Sequence, residues 1–243
     1  MKEIKSALVV AAALVLVAVI VSLTYFNRAK ADDMLSVTGM GSIDFSSDIV
    51  TWQAFFQSEA RELAPAYARL KENRVALEDF LKEKRIGSPD YVFQPVTIEK
   101  QYQDIFNSEG KQVGQSFTGY LLTQTIRVQS RDLDAVAVAA REVTDLIQKG
   151  YTVQSESPQY FFSALADLKL KLIATASQDA RNRALQIARN VGGSLGKVRW
   201  SSMGVIQIVG ENSPVDDSWQ GSYDTGSRKK TATVTIKAQY ELR

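Results

Sequence analysis

The side chains of this sequence that could do chemistry are carboxylates, lysines, tyrosines, serines and threonines, because the chain has no histidine and no cysteine. That absence excludes the usual zinc sites, and it excludes nucleophiles activated through a histidine, as in Ser-His-Asp and Cys-His systems. It also excludes disulfides and thiol chemistry. We therefore expect no metal site, no cofactor and no enzymatic activity.

Neighbouring carboxylates are the remaining candidates for metal binding or acid–base catalysis. Asp32-Asp33 and Asp216-Asp217 are adjacent pairs, but neither lies in a loop of the Asp-x-Asp-x-Asp-Gly type, and a hard cation needs several converging oxygens. Glu99 and Asp104 flank Tyr102 near a hairpin, yet their spacing alone does not fix the geometry that two catalytic carboxylates need. We interpret all of these carboxylates as solvated surface.

The composition is that of an ordinary globular protein. The chain has 243 residues, of which 45% are hydrophobic and 23% are charged. Its net charge of +2 is small, and its basic residues are not clustered in one segment. We therefore expect no nucleic-acid partner.

The N-terminal segment contains a long uncharged run, from Ser6 to Phe26. Its length and apolar character predict a transmembrane helix. On this interpretation, residues 1–31 are a membrane anchor with a short linker, and residues 32–243 are an exported domain on the periplasmic side of a bacterial inner membrane. The alternative is a signal peptide cleaved near Ala29-Lys30-Ala31, which would release the protein into the periplasm.

The stretch from Asp167 to Val198 is predicted to organise the fold. Its apolar residues have helical spacing, and four alanines recur every four residues on one face: Ala176, Ala180, Ala184 and Ala188. Such a flat face favours close packing of the helix on a sheet. Gly192-Gly193 is predicted to end the helix, because glycine adopts the left-handed conformation of a C-terminal cap without strain.

The alanine-rich run from Ala180 to Ala188, followed by Gly192 to Val198, resembles the signature of the SIMPL-domain family. An early strand with Gly39 and Gly41, and an alternating last strand from Ala232 to Leu242, match the family in the same order. The resemblance spans residues 34–243. It implies an α+β envelope protein, periplasmic or on the cell surface, that tends to form large homo-oligomers. It implies no catalytic residues.

The periodicity of the remaining segments predicts the element order ββ-α-ββ-α-β-α-ββ. This order indicates an α+β fold, in which three helices pack on a largely antiparallel sheet. Pro95 interrupts a strand-like segment and indicates a sheet edge or a bulge, and Pro158 in a later segment indicates an edge. A weak αββ repeat covers residues 64–128 and 165–242. The exported part could be one domain or two closely packed halves.

Residues 210–230 are rich in glycine, serine, asparagine, proline and aspartate, and we predict a mobile loop there. Trp219 and Tyr223 lie within it and are the candidate residues for an interaction, because aromatic residues are enriched where proteins bind one another.

The predicted function is that of a membrane-anchored, periplasm-facing protein. It would act without catalysis in the cell envelope, by homo-oligomerisation or by binding a protein partner, with stress protection as a candidate role. One alternative is a binding module for a small molecule or peptide, with its pocket between helices and sheet. A histidine-free hydrolase is the other.

Overall fold

The computed structural model describes residues 13–22, 34–213 and 220–243. Its helices are α1 (residues 13–22), α2 (Leu63–Glu83), α3 (Leu133–Glu142) and α4 (Leu165–Asn190), with short 3-10 helices at Ser88–Asp90 and Val143–Lys149. Its strands are β1 (Met34–Ser46), β2 (Ile49–Ala60), β3 (Tyr91–Phe93), β4 (Thr97–Phe106), β5 (Gln112–Ser130), β6 (Thr152–Ser155), β7 (Gln159–Phe161), β8 (Leu195–Met203), β9 (Gln207–Gly210) and β10 (Lys229–Leu242).

The prediction of a transmembrane helix over Ser6–Phe26 is wrong. In the part of the chain that the structure describes, no helix is long and apolar enough to cross a membrane. Helix α1 is described over residues 13–22. The other residues of the predicted span, 6–12 and 23–26, lie outside the described residues.

The fold is α+β with antiparallel strands, as the sequence predicts, but the strands form two sheets and not one. In the first sheet β10 lies between β1 and β8, and β9 also pairs with β10. In the second, β5 and β2 are central; β3 and β4 pair with β5, while β6 and β7 pair with β2. Helix α4 packs on the first sheet, and α2 and α3 pack on the second. Each sheet therefore has its own hydrophobic core.

Three of the predicted strands are each divided in two. Pro95 separates β3 from β4, and Pro158 separates β6 from β7. Both interruptions lie at the edges of the second sheet, because proline cannot donate a ladder hydrogen bond and is confined to edges and strand ends. Residues 204–206, which include no proline, divide the third predicted strand into β8 and β9. The prediction that both prolines mark sheet edges is confirmed.

The two sheets repeat one plan. In each, a helix is followed by an outer strand and then by a strand that returns to the centre: α2, β4 and β5 in one, α4, β8 and β10 in the other. The returning strand pairs antiparallel with a strand that precedes the helix, β5 with β2 and β10 with β1. The weak αββ repeat in the sequence therefore corresponds to a structural repeat.

Helix α4 lies unusually close to β1. Its four stripe alanines are each 0% exposed. Gly39 and Gly41 lie opposite them, and a methyl group at Gly39 would overlap the backbone of Ala176 and Ala180. A methyl group at Gly41 would come within 2.5 Å of the carbonyl oxygen of Leu172. The two glycines and the alanine stripe therefore pack against each other, and the prediction that the alanine face packs closely on a sheet is confirmed.

Candidate functional site

The carboxylates considered for chemistry do not form a site. Asp32-Asp33 and Asp216-Asp217 lie outside the described residues. Glu99 and Asp104 both lie on β4, but they are five positions apart and so face opposite sides of the sheet. Asp104 accepts hydrogen bonds from the side chains of Gln112 and Gln115, at 2.7 and 2.8 Å. Over the described ranges, no group of three or more acidic residues is placed to hold a metal ion.

Of the two aromatic residues proposed for an interaction, Trp219 lies outside the described residues and Tyr223 is placed. The ring of Tyr223 is 39% exposed and stacks on Phe161 of β7, with 6.4 Å between ring centroids. The backbone of Tyr223 forms a parallel bridge with Ile208. Tyr223 therefore joins the loop to both sheets, and its role in binding stays a prediction.

The described part of the loop is built around Asp224 and Lys230. The carboxylate of Asp224 accepts from the backbone N–H groups of Gly226 and Ser227, at 2.7 and 3.3 Å. The ammonium of Lys230 donates to the carbonyl oxygens of Asp224 and Ser227, each at 2.5 Å. Burial lowers the pKa of Lys230, which is 0% exposed. The sequence prediction missed this lysine because it placed residue 230 in the loop, although Lys230 continues the alternation of the buried residues Ala232, Val234 and Ile236.

The most exposed ordered feature is a hairpin that extends from the second sheet. We call residues 97–118 the arm; all of them except Gln101 are exposed. The turn at its tip is formed by residues 107–111, whose Asn, Ser and Gly are typical of a hairpin turn. The side chain of Asn107 accepts from the N–H groups of Glu109 and Lys111, at 3.0 and 2.9 Å. Gly110 adopts a φ of 75°, which favours glycine.

One face of the arm carries exposed apolar and aromatic side chains that alternate with Lys100 and Asp104. Ile98, Tyr102 and Phe106 alternate along β4 and are 52%, 52% and 59% exposed. Ile98 lies opposite Leu122, which is buried beneath the helices, so this face continues the core-facing side of the sheet. No helix of the described residues packs on it.

A β-bulge in β5 places a further aromatic side chain on this face. The register shifts between Gln101 and Tyr102, so that Tyr102 lies opposite Phe117. The Phe117 ring is 5.8 Å from the Tyr102 ring and 5.2 Å from the Tyr120 ring, between centroids. Without the bulge Phe117 would face the other side, because side chains alternate along a strand.

The outer edge of β4 is open. Among the described strands, β4 pairs only with β5, which leaves one side of a ten-residue strand without ladder partners. In the first sheet, by contrast, the edge strand β1 is covered by a helix. Helix α4 lies against β1, and Asp179 accepts a hydrogen bond from the Met40 N–H at 2.8 Å. An open apolar strand edge is a template for pairing with another chain.

The sequence profile of the SIMPL family, described as a protein of unknown function (DUF541), matches residues 35–240. The chain belongs to the SIMPL family. The matched residues include those of both sheets, the arm, and the segments of α4 and β1 that pack together. Membership of the SIMPL family suggests a periplasmic or extracellular protein.

No curated protein matches the chain significantly. Among solved structures, the chain is similar to an amidase of the hydantoinase/carbamoylase family from Burkholderia phymatum. The two are 14% identical over 56% of this chain and 34% of that one, with a TM-score of 0.25. A putative aminohydrolase from methicillin-resistant Staphylococcus aureus is 9% identical over 52% and 32%, with a TM-score of 0.21. The SIMPL chain thus spans about a third of each solved chain, and likenesses at this level imply no shared activity.

Proposed function

We propose that this SIMPL protein acts without catalysis, outside the cytoplasm, by pairing with copies of itself through the arm. The observation that carries the proposal is the open edge of β4, on which apolar side chains alternate with charged ones. A strand of ten residues with exposed Ile98, Tyr102 and Phe106 is long enough to pair with an equivalent strand. Monomeric proteins usually cover or blunt such an edge.

The sequence of β4 is complementary to itself when two copies run antiparallel. Consider a two-fold axis that passes beside Tyr102, perpendicular to the sheet. Residues whose numbers add to 204 then lie opposite one another, so Lys100 faces Asp104 of the partner subunit. Ile98 faces Phe106 of the partner subunit, and Tyr102 faces its own copy. This register pairs opposite charges and pairs apolar side chains, which are the favourable cross-strand combinations.

Neighbouring registers are worse. A slip of one residue to a sum of 203 places Glu99 opposite Asp104 of the partner subunit, and like charges in direct opposition are destabilising. A slip to a sum of 205 removes the charge pair and places Lys100 opposite Ile105 of the partner subunit. Slips of two residues, to sums of 202 and 206, place Asp104 of the partner subunit opposite Ile98 and Tyr102. In the register centred on Tyr102, the faces that carry Ile98, Tyr102 and Phe106 in the two subunits lie on the same side of the combined sheet. On this face the two-fold axis gives two copies of the Ile98–Phe106 pair, two copies of the Lys100–Asp104 pair and one Tyr102–Tyr102 pair. Each of the five pairs contributes about 0.2–1 kcal/mol, so we expect a reversible dimer.

The absence of catalytic side chains supports the non-enzymatic part of the proposal. The whole sequence lacks histidine and cysteine, and the one acidic pair near an exposed aromatic residue is split between two faces of β4. A hydrolase would need a nucleophile with an activating base, or a metal-bound water.

Sedimentation of charge-reversal variants tests the pairing. Lys100→Asp and Asp104→Lys each oppose like charges in the proposed register, so either alone should weaken dimerisation at least tenfold. The double variant restores opposite charges and should recover the wild-type dimer. Lys111→Asp, in the turn of the same arm, is the control and should leave dimerisation unchanged. The proposal fails if the wild type sediments as a monomer throughout the micromolar range, or if the double variant does not recover.

Cysteine cross-linking tests the register, because any disulfide in this cysteine-free chain must involve introduced residues. Opposed residues of an antiparallel pair lie about 4.5–5.5 Å apart between Cα atoms, which a disulfide can bridge. Tyr102→Cys should therefore cross-link to its own copy under mild oxidation. Ile98→Cys alone should not, whereas a mixture of Ile98→Cys and Phe106→Cys proteins should give a mixed dimer. Efficient cross-linking of Ile98→Cys alone would reject this register.

A further inference from the structure

A groove of about 350 Å³ lies between helix α2 and the edge of the second sheet, at the base of the arm. Tyr67, Lys71 and Arg74 of α2 line one side of it, and Val96 and Gln124 of the sheet line the other. Strands β3 and β4 form this edge, since each pairs only with β5 among the described strands. The groove therefore lies at the edge along which we propose that two arms pair.

The groove presents an exposed aromatic ring and an unpaired cation. Tyr67 is 56% exposed. Arg74 is already engaged, because its Nε lies 3.1 Å from the Glu78 carboxylate and its guanidinium lies 4.3 Å from the centroid of the Phe93 ring. Lys71, by contrast, has no ion-pair partner among the described residues. An occupant with an apolar side chain and a carboxylate would complement both groups.

The register centred on Tyr102 brings the partner's arm to this groove. Phe106 of the partner subunit lies opposite Ile98, on the side of the sheet that carries α2. The same register, continued past the end of the strand, places Ser108 of the partner subunit opposite Val96, which lines the groove. The tip of each arm therefore reaches the groove of the other subunit.

The tip of the arm carries the charge that the groove lacks. Glu109 follows Ser108 in the turn, is exposed, and has no ion-pair partner among the described residues. Lys111, the other charged residue of the turn, begins the return towards β5, because its carbonyl accepts from the Asn107 N–H at 3.0 Å. Lys111 thus lies on the side of the hairpin away from the open edge, and Glu109 is the charge that can meet Lys71.

We propose that the groove receives the tip of the partner's arm, with Phe106 of the partner subunit against Tyr67 and Glu109 of the partner subunit beside Lys71. Aromatic pairs and opposite charges at an interface favour association and fix its register. The two-fold axis produces the contact twice, because each subunit contributes one tip and one groove. This inference rests on the pairing of the arms proposed above, and it adds α2 to the interface.

Sedimentation of the full-length protein tests the docking. Tyr67→Ser removes the exposed ring and should weaken dimerisation at least tenfold. Lys71→Glu and Glu109→Lys each oppose like charges and should each weaken it at least threefold, whereas the double variant should recover the wild-type dimer. Lys82→Glu is the matched control. Lys82 is exposed on the same helix, about 16 Å further along its axis, and its reversal should leave dimerisation unchanged.

Cross-linking with a short bis-maleimide gives a direct readout. A mixture of Lys71→Cys and Glu109→Cys proteins should give a mixed dimer, whereas a mixture of Lys82→Cys and Glu109→Cys proteins should not. Circular dichroism checks that each variant folds.

The outcomes separate this inference from the pairing of the arms. If Tyr102→Cys cross-links to its own copy while Tyr67→Ser and Lys71→Glu dimerise like the wild type, the docking is overturned and the pairing stands. Failure of the Lys71→Glu/Glu109→Lys variant to recover would also overturn the docking. A monomeric wild type together with no cross-linking of Tyr102→Cys would overturn both.

Discussion

At the scale of single residues, several aspartates hold the backbone in position by accepting hydrogen bonds from its N–H groups. Asp179 is the clearest case, because it takes the Met40 N–H at the edge of β1 and also pairs with Arg183 of its own helix. The hydrogen bond from Met40 is the main cause that lowers the pKa of Asp179, and Arg183 adds to it. Asp48 similarly accepts from the N–H of Ser163, at 2.7 Å.

The lowered pKa of Asp179 predicts a pH-dependent loss in Asp179→Asn. A carboxylate with a lowered folded-state pKa contributes stability above its unfolded-state pKa of about 3.9, and loses that contribution as pH falls through the folded-state value. At pH 7 we expect the variant to be less stable by about 1 kcal/mol. The difference should shrink towards zero below pH of about 3.9. Urea unfolding at pH 7 and at acid pH measures this difference in the free energy of unfolding, with exposed Glu72→Gln on α2 as the control. A difference that is equal at pH 7 and at acid pH would contradict the assignment.

At the scale of elements, the contact between α4 and β1 is the tightest helix–strand packing in the described chain. The buried alanines and the two glycines let the two backbones approach directly. Close approach of this kind leaves no space for an added methyl group, because protein interiors are packed as densely as organic crystals.

Gly39→Ala should therefore lower the free energy of unfolding by about 3 kcal/mol, since the new methyl group meets backbone atoms of α4 that cannot rotate away. Gly114→Ala is the matched control. Gly114 lies in the arm with no atom within 4 Å of the added methyl position, so its stability should change by less than about 0.5 kcal/mol. Thermal or urea unfolding measures both. Equal effects of the two variants would mean that α4 does not lie this close to β1.

At the scale of the whole molecule, the residues just before β10 join the two sheets. The Arg228 guanidinium donates to the carboxylate of Asp134 at 2.5 Å and to the carbonyl of Leu133 at 2.7 Å, both in α3 of the other layer. The same guanidinium lies over the Tyr160 ring, 5.3 Å from its centroid. The N–H of Tyr160 donates to Thr225 at 2.7 Å. This short segment is thus one of the connections between the two cores.

Arg228→Met should weaken this connection. We expect a loss of about 1 kcal/mol in the free energy of unfolding, because the Arg228 side chain is 37% exposed and solvent screens its ion pair. Hydrogen exchange should quicken at the Tyr160 N–H. Lys229→Met is the neighbouring control: Lys229 is exposed and pairs with Glu211 at 3.7 Å, so little change is expected. Unaltered exchange at Tyr160 in the Arg228 variant would show that the sheets are held together by other contacts.

Patterns within a single element were predictable from the sequence. The alanine stripe of α4, the alternation of β10 and the turn at Asn107 depend on residues close together in the chain, so local periodicity and turn chemistry determine them. The α+β class and the family follow from the order of those elements. The transmembrane prediction rested on hydropathy alone, and among the described residues no helix is long and apolar enough to cross a membrane.

The pairing of elements was decided only by the tertiary structure. Alternation shows that a strand has a buried face but not which strand lies beside it, so the division into two sheets could not be read from the pattern. Ile98, Tyr102 and Phe106 have the spacing of a buried strand face, and only the placement of the helices leaves them exposed. The opening between α4 and β8 is likewise a property of neither element alone, and it exists because α4 lies over β1 and leaves β8 uncovered.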